Sequence, residues 1–404
     1  MDTGLMLKSL QDPMGIPFYP IVFQVLLVLT FALHILFVNF TLGTSFLALY
    51  GRLKGEGYWK QLSGPLARAS TASISTAMLM GVAPLLFVQV VYDPFWYTSN
   101  VLSAAWVVGF IFVAMAGYGS LYLFYLCGGR TGKNYAFFGI AAVALFLLAG
   151  VIMHVLGYQA LQPEKWYQWY VSGNSVDTSG TSLHAFQLPR FLHFIVPTFA
   201  MAGIFMMLYG WYFNKKEGTD SQYLGWVART GANMAFLFTA VQAGVGIWWL
   251  LSLPDEFAFL KNPFFLAGAG LGVILLVLLH FATREPLKFA LPAGLCAFVT
   301  ILGMSLTREV LRMHYVGRFG YSIFQYKLNI DWGSTLLFIA TFLMGLIIIS
   351  YLLSVAYKSG RVEGQYVASP SMQRLGNVSI GLMVAWILVV AGLGIVISVR
   401  NFLL

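Results

Sequence analysis

Charge is scarce in this sequence. Asp, Glu, Lys and Arg make up 9% of its 404 residues, where a soluble globular chain carries about 25%. With 59% of the residues apolar and a mean hydropathy of +0.79, a water-exposed surface of ordinary composition is excluded, and intrinsic disorder with it. Cysteine is almost missing. Cys127 and Cys296 cannot build a disulfide scaffold or a cysteine-held iron–sulfur cluster, and the absence of C-x-x-C-H excludes covalently attached haem. The net charge of +9 does not indicate a nucleic-acid partner, because membrane topology accounts for the basic residues. What the chain has in abundance is long apolar runs, and these define a polytopic membrane protein whose first partner is the lipid bilayer.

A spanning helix needs about 20 mostly apolar residues. About ten such runs lie near 20–48, 70–92, 102–128, 135–158, 191–213, 229–253, 264–283, 288–308, 333–357 and 376–399. None has the period of two that a lipid-facing barrel strand requires. The expected fold is an all-α, integral membrane helical bundle forming one membrane domain over 1–404, preceded by an amphipathic segment at 1–19. That segment lacks a basic n-region and a small-residue cleavage site, so the first span reads as a retained helix. The loops after spans one, three, five, seven and nine carry 14 of the 23 Lys and Arg. The positive-inside rule places those loops in the cytoplasm and the N-terminus outside, in a prokaryotic cytoplasmic membrane. Four basic residues, Arg308, Arg312, Arg318 and Lys327, break the rule in one outer loop. Such a cluster suits cofactor propionates or an acidic docking partner; the plainer account is a solvated loop. Trp166, Tyr167, Trp169 and Tyr170, in the other long outer loop, read as interfacial anchors.

No Asp, Glu, Lys or Arg falls in the middle of any span. A proton relay needs a titratable group in the bilayer, so proton-driven transport is disfavoured. Histidine is what the spans contain. His34 lies halfway along span one, His154 near the outer end of span four, His193 just inside the outer start of span five, and His280 near the inner end of span seven; His184 and His314 sit in outer loops. Neutral imidazole is a common ligand of b-type haem. Equal depth lets His154 and His193 flank one haem iron, whereas His280, beside Arg284, suits snorkelling to the interface. The competing account of each is a histidine hydrogen-bonded to a carbonyl or hydroxyl of a neighbouring helix.

Several segments resemble subunit I of the cytochrome bd quinol oxidases. LHILFVNFTLGTSFLALYGRL resembles that family's haem-ligating first helix, with its histidine at His34. RFLHFIVPTFAMAGIFMMLYGWYF resembles the helix whose histidine holds the low-spin haem, which falls on His193. ASTASISTAMLMGVAPLLFVQVVYDPFW, FLLAGVIMHVLGYQALQP, WVARTGANMAFLFTAVQAGVGIWW and REPLKFALPAGLCAFVTILGMSLTREVLRMHYVGRFG match further helices in order. The resemblance covers residues 20–357 as a bd-like core of about nine helices, and span 376–399 is an addition. It implies haem b, one or more, with His34 and His193 as ligands.

Departures from the family pattern carry information of their own. The two acidic residues of its third helix fall near Trp106 and Ala114, and no acid occurs between Asp93 and Glu164. Its eighth-helix glutamate falls near Thr300. Its seventh-helix arginine and methionine are missing from NPFFLAGAGLGVILL, and its long quinol-oxidising loop is reduced to LSLPDEFAFLKNP. Without that methionine, His154 is the candidate sixth ligand for the iron at His193. The expected function is a b-type cytochrome subunit of a respiratory complex, passing electrons between the quinone pool and an outer-side redox partner. Its partners would be other subunits of a membrane redox complex, including a multihaem c-type cytochrome, and quinone or quinol. Two alternatives stand beside it: a divergent bd-type terminal quinol oxidase, and a haem-free membrane anchor.

Overall fold

A computed structural model of the chain describes residues 2–128, 135–172, 175–214, 220–359, 362 and 365–403. Among them, ten helical segments are long and apolar enough to cross a membrane. The protein is an all-α, multi-pass membrane chain. Of the Lys and Arg that fix its expected orientation, Arg130, Lys133, Lys215, Lys216 and Arg361 lie outside the described residues.

Contacts divide the chain into two compact units, 1–327 and 328–404. In chain order the first contains α1 (Thr3–Ser9), α2 (Pro20–Lys54), α3 (Gly57–Val91), α4 (Asp93–Leu102), α5 (Ala104–Cys127), α6 (Ala136–Gln159), α7 (Pro163–Tyr170), α8 (Leu188–Ile195), α9 (Pro197–Phe213), α10 (Ser221–Leu251), α11 (Pro263–Ala282) and α12 (Pro286–Gly317). A two-residue antiparallel hairpin pairs Val171 with Val176 and Ser172 with Ser175. Helices α8 and α9 run on as one spanning segment with a break at Pro197, where proline has no N–H to donate.

The spans overrun their apolar stretches. Helix α3 starts at Gly57 and not near 70, α10 starts at Ser221 and not at 229, and α12 runs on from 308 to Gly317. Backbone amides near the membrane surface still need partners, and continuing the helix supplies them where hydropathy has already fallen.

Helix α2 is the hub of the first unit and packs against α3, α6, α9 and α12. Between α9 and α10 the backbones meet at Gly203 and Gly231. A Cβ on either would lie 2.5 Å from the other's carbonyl oxygen, so only the missing side chains permit this crossing. The N-terminal segment is tied down as well. Gly15, at φ +79°, brings the chain against residue 327, and the Ile16 N–H donates to the Lys327 carbonyl at 2.9 Å. In the second unit α13 (Trp332–Ser359) and α14 (Pro370–Leu403) pack together, with Gly376 close against the Tyr351 ring.

Candidate functional site

His34 projects from α2 toward α3. Its Nδ1 lies 2.9 Å from the carbonyl oxygen of Ala77, one turn before Gly81. A carbonyl only accepts, so Nδ1 carries the proton and Nε2 keeps its lone pair. A backbone carbonyl on the far nitrogen is the arrangement that orients a metal-ligating imidazole and raises its basicity. Gly81 makes room for it: a Cβ there would lie 2.8 Å from Cε1 of the ring.

His193, in α8, faces α10. Gly246 lies under its ring, where a Cβ would approach Cε1 to 3.3 Å, and Trp249 packs beside it with ring centroids 5.1 Å apart. Its backbone carbonyl accepts from Gln242 Nε2 at 2.9 Å, which pins this turn of α8 to α10. His193 Nδ1 is buried with no hydrogen-bond partner. An unsatisfied buried nitrogen costs about 1–3 kcal/mol.

His154 is placed differently. Its Nε2 accepts the Gln187 backbone N–H at 3.2 Å, so that lone pair is occupied. Its ring packs on Phe186 and Phe191. Phe191 and His193 are two residues apart, which on a helix is about 200°, so His154 borders one face of α8 while His193 points from the opposite one. For both rings to flank one iron, as their similar depth leads one to expect, His154 would have to release the Gln187 N–H.

The basic outer loop also needs correction. Arg308 and Arg312 lie on the last turns of α12, four residues apart and so on one face. Arg308 lies 3.9 Å from the centroid of the Phe31 ring, one turn before His34 on α2, and Arg312 lies 4.9 Å from that of Tyr92. Between them in sequence, Glu309 is 2% exposed. It accepts the Tyr92 hydroxyl at 2.6 Å and sits 3.5 Å from Arg312 Nη1. A carboxylate thus does belong to the end of this long helix, on the same element as Thr300 and two and a half turns beyond it. Arg318 stands apart: it pairs with Glu164 at 2.9 Å, both partly exposed.

Sequence reasoning missed Arg190, counted as a loop residue one position before span five. It occupies the first turn of α8 and is 8% exposed, with its guanidinium 5.1 Å from the Tyr158 ring centroid. Pro189 at the helix start was the available signal. Arg190, Arg308 and Arg312 lie close enough together for their charges to repel.

The remaining histidines are accounted for by packing. His280 sits against Phe236 and Phe281, His184 stacks on Trp169, and His314 donates to the Val310 carbonyl between Phe257 and Phe259. Among the described residues no group of three or more His, Cys, Asp or Glu could hold a metal ion. A haem iron takes only its axial ligands from protein, so that count does not bear on it.

No protein-family model matches this chain, and no curated protein does. The functional reading therefore stands on the residues themselves.

Proposed function

We propose that the protein is a b-type cytochrome subunit with a cytochrome bd-like core, passing electrons between membrane quinone and an outer-side redox partner such as a multihaem c-type cytochrome. One observation carries the reading: His34, inside an apolar spanning helix, has its Nδ1 proton fixed on the Ala77 carbonyl and its Nε2 lone pair free for iron. The burial of His193 Nδ1 between α8 and α10 and the glycine under each ring support it. His34 and His193 would each hold a haem b, and His154 is left out because its lone pair is already engaged. Bound haem supplies reversible one-electron transfer. The chain's own share is to fix the tautomer of His34, to orient both imidazoles, and to present the Arg308 guanidinium one turn from His34.

Buried Glu309 favours one second reading, a divergent terminal quinol oxidase. It is a carboxylate on the eighth spanning segment, the element that carries the haem-ligating glutamate in the family this chain resembles.

Reduced-minus-oxidised spectra with pyridine haemochrome quantification test the proposal. Wild type should show haem b, His193→Ala should lose a low-spin signal, and His34→Ala should lose haem without unfolding. A chain purified with its partner subunits and free of haem b would sink both readings and leave the membrane anchor. Cyanide-sensitive oxygen uptake with reduced quinol would favour the oxidase.

A further inference from the structure

Arg308, Arg312 and Glu309 lie where α12 packs on the N-terminal half of α2, and Arg190, on the first turn of α8, is near enough for its charge to act on theirs. Each guanidinium lies against an aromatic ring, with Tyr158 under Arg190, Phe31 under Arg308 and Tyr92 under Arg312. The rings bury the side chains and hold them in place, but offer no anionic oxygen. Glu309 is the one carboxylate in contact with the group and meets only Arg312, at 3.5 Å.

The N–H groups show the same deficit. Arg190 Nη1, Arg308 Nε and Arg312 Nη1 are buried without a hydrogen-bond partner, and Arg190 otherwise reaches only the Gly157 carbonyl, at 3.5 Å. Three positive charges against one negative leave an excess of two, carried by one buried and two partly buried arginines. Uncompensated charge among membrane helices costs several kcal/mol per ion and is retained where it meets a counter-charge. A guanidinium fork matches carboxylate and phosphate oxygens in paired hydrogen bonds.

We propose that Arg190, Arg308 and Arg312 form the seat of a ligand group bearing two negative charges. Resting on the cytochrome reading, the two propionates of the haem at His34 are its occupants. Arg308 makes that link, because it stacks on Phe31 one turn from His34. Arg318, neutralised by Glu164, is excluded from the seat. The same chemistry could come from a doubly charged phospholipid headgroup, a phosphomonoester or a diphosphatidyl group, and the test separates the two.

The full-length chain is purified with haem carrying 13C at its propionate carboxyls, as wild type, Arg190→Met and Arg318→Met. Reduced-minus-oxidised infrared spectra read the labelled carboxylates, pyridine haemochrome reads haem content, and native mass spectrometry reads bound lipid. Arg190→Met should shift the labelled bands, and Arg318→Met should leave them in place. If Arg190→Met does not accumulate, Arg190→Lys, which keeps the charge and loses the fork, should shift the same bands. Unmoved bands in a haem-loaded Arg190 variant would overturn the proposal. A haem-free wild type removes the cytochrome reading alone. The seat then stands if one acidic lipid per chain is bound and lost in the Arg190 variant, and falls if none is.

Discussion

Asp93 shows at the scale of one residue how this chain handles charge it cannot leave in water. It opens α4 just past the end of α3 and is 7% exposed. Its carboxylate accepts the Tyr326 hydroxyl, and the Asp12 N–H at 2.7 Å, while Tyr326 also meets the Tyr321 hydroxyl at 2.6 Å. The cluster pins the N-terminal segment and the stretch after α12 to one point. Burial pushes the Asp93 carboxyl above its ordinary range despite these donors, and pushes the Tyr321 and Tyr326 hydroxyls up as well. An acid whose folded pKa lies above the unfolded one binds its proton more tightly in the folded state. Its stabilising contribution is complete below the unfolded pKa of about 3.9 and is lost as pH rises through the folded pKa, with about 1.4 kcal/mol at stake for each pH unit separating the two. Thermal midpoints of the purified protein should therefore fall from about pH 4 upward across that window relative to Asp93→Asn, in which this component is gone. A wild-type midpoint that rises relative to the variant over the same range would refute this.

At the scale of elements, the spans themselves were legible because about 20 apolar residues in a row have few other uses. Their ends were not, because the helical hydrogen-bond ladder continues past the last apolar residue, as in α3 and α12. The same gap hid the arginine seat. Arg308 and Arg312 looked like loop residues because hydropathy stops near 308, although their four-residue spacing already put them on one face of any helix that continued. The sequence singles out His34 and His193 as candidates, but the carbonyl that fixes the tautomer of His34 and the α8 face from which His193 projects depend on which helices touch. That is a property of crossings such as the one at Gly203 and Gly231. Gly231→Val should force α9 from α10, since its Cβ would start 2.5 Å from the Gly203 carbonyl oxygen and 2.7 Å from the Met206 Cβ. Overpacking of this kind costs roughly 1–3 kcal/mol. Gly225→Val, on the same helix with nothing within 4 Å, is the matched control. Equal thermal midpoints for the two variants would mean that the crossing does not set the packing of α9 and α10.

For the whole molecule, the functional reading depends on which side of the membrane the arginine seat faces. The connection between α10 and α11 lies at that end, because Phe257 packs on Tyr315 with ring centroids 4.9 Å apart, three residues beyond Arg312. The connection between α2 and α3 is five spans away in sequence and belongs to the opposite side. If the α2–α3 connection is cytoplasmic, as the Lys and Arg counts lead one to expect, the seat faces outside, within reach of an outer redox partner. Both connections offer an exposed residue, Glu56 and Asp255. With Cys127 and Cys296 replaced by serine, single cysteines at these positions can be probed in intact cells with a membrane-impermeant maleimide. Asp255→Cys should label at once and Glu56→Cys only after the cells are opened. The reverse pattern would turn the seat toward the cytoplasm, and an outer cytochrome could not be the partner, since its electrons would have to cross the bilayer to reach a haem held there.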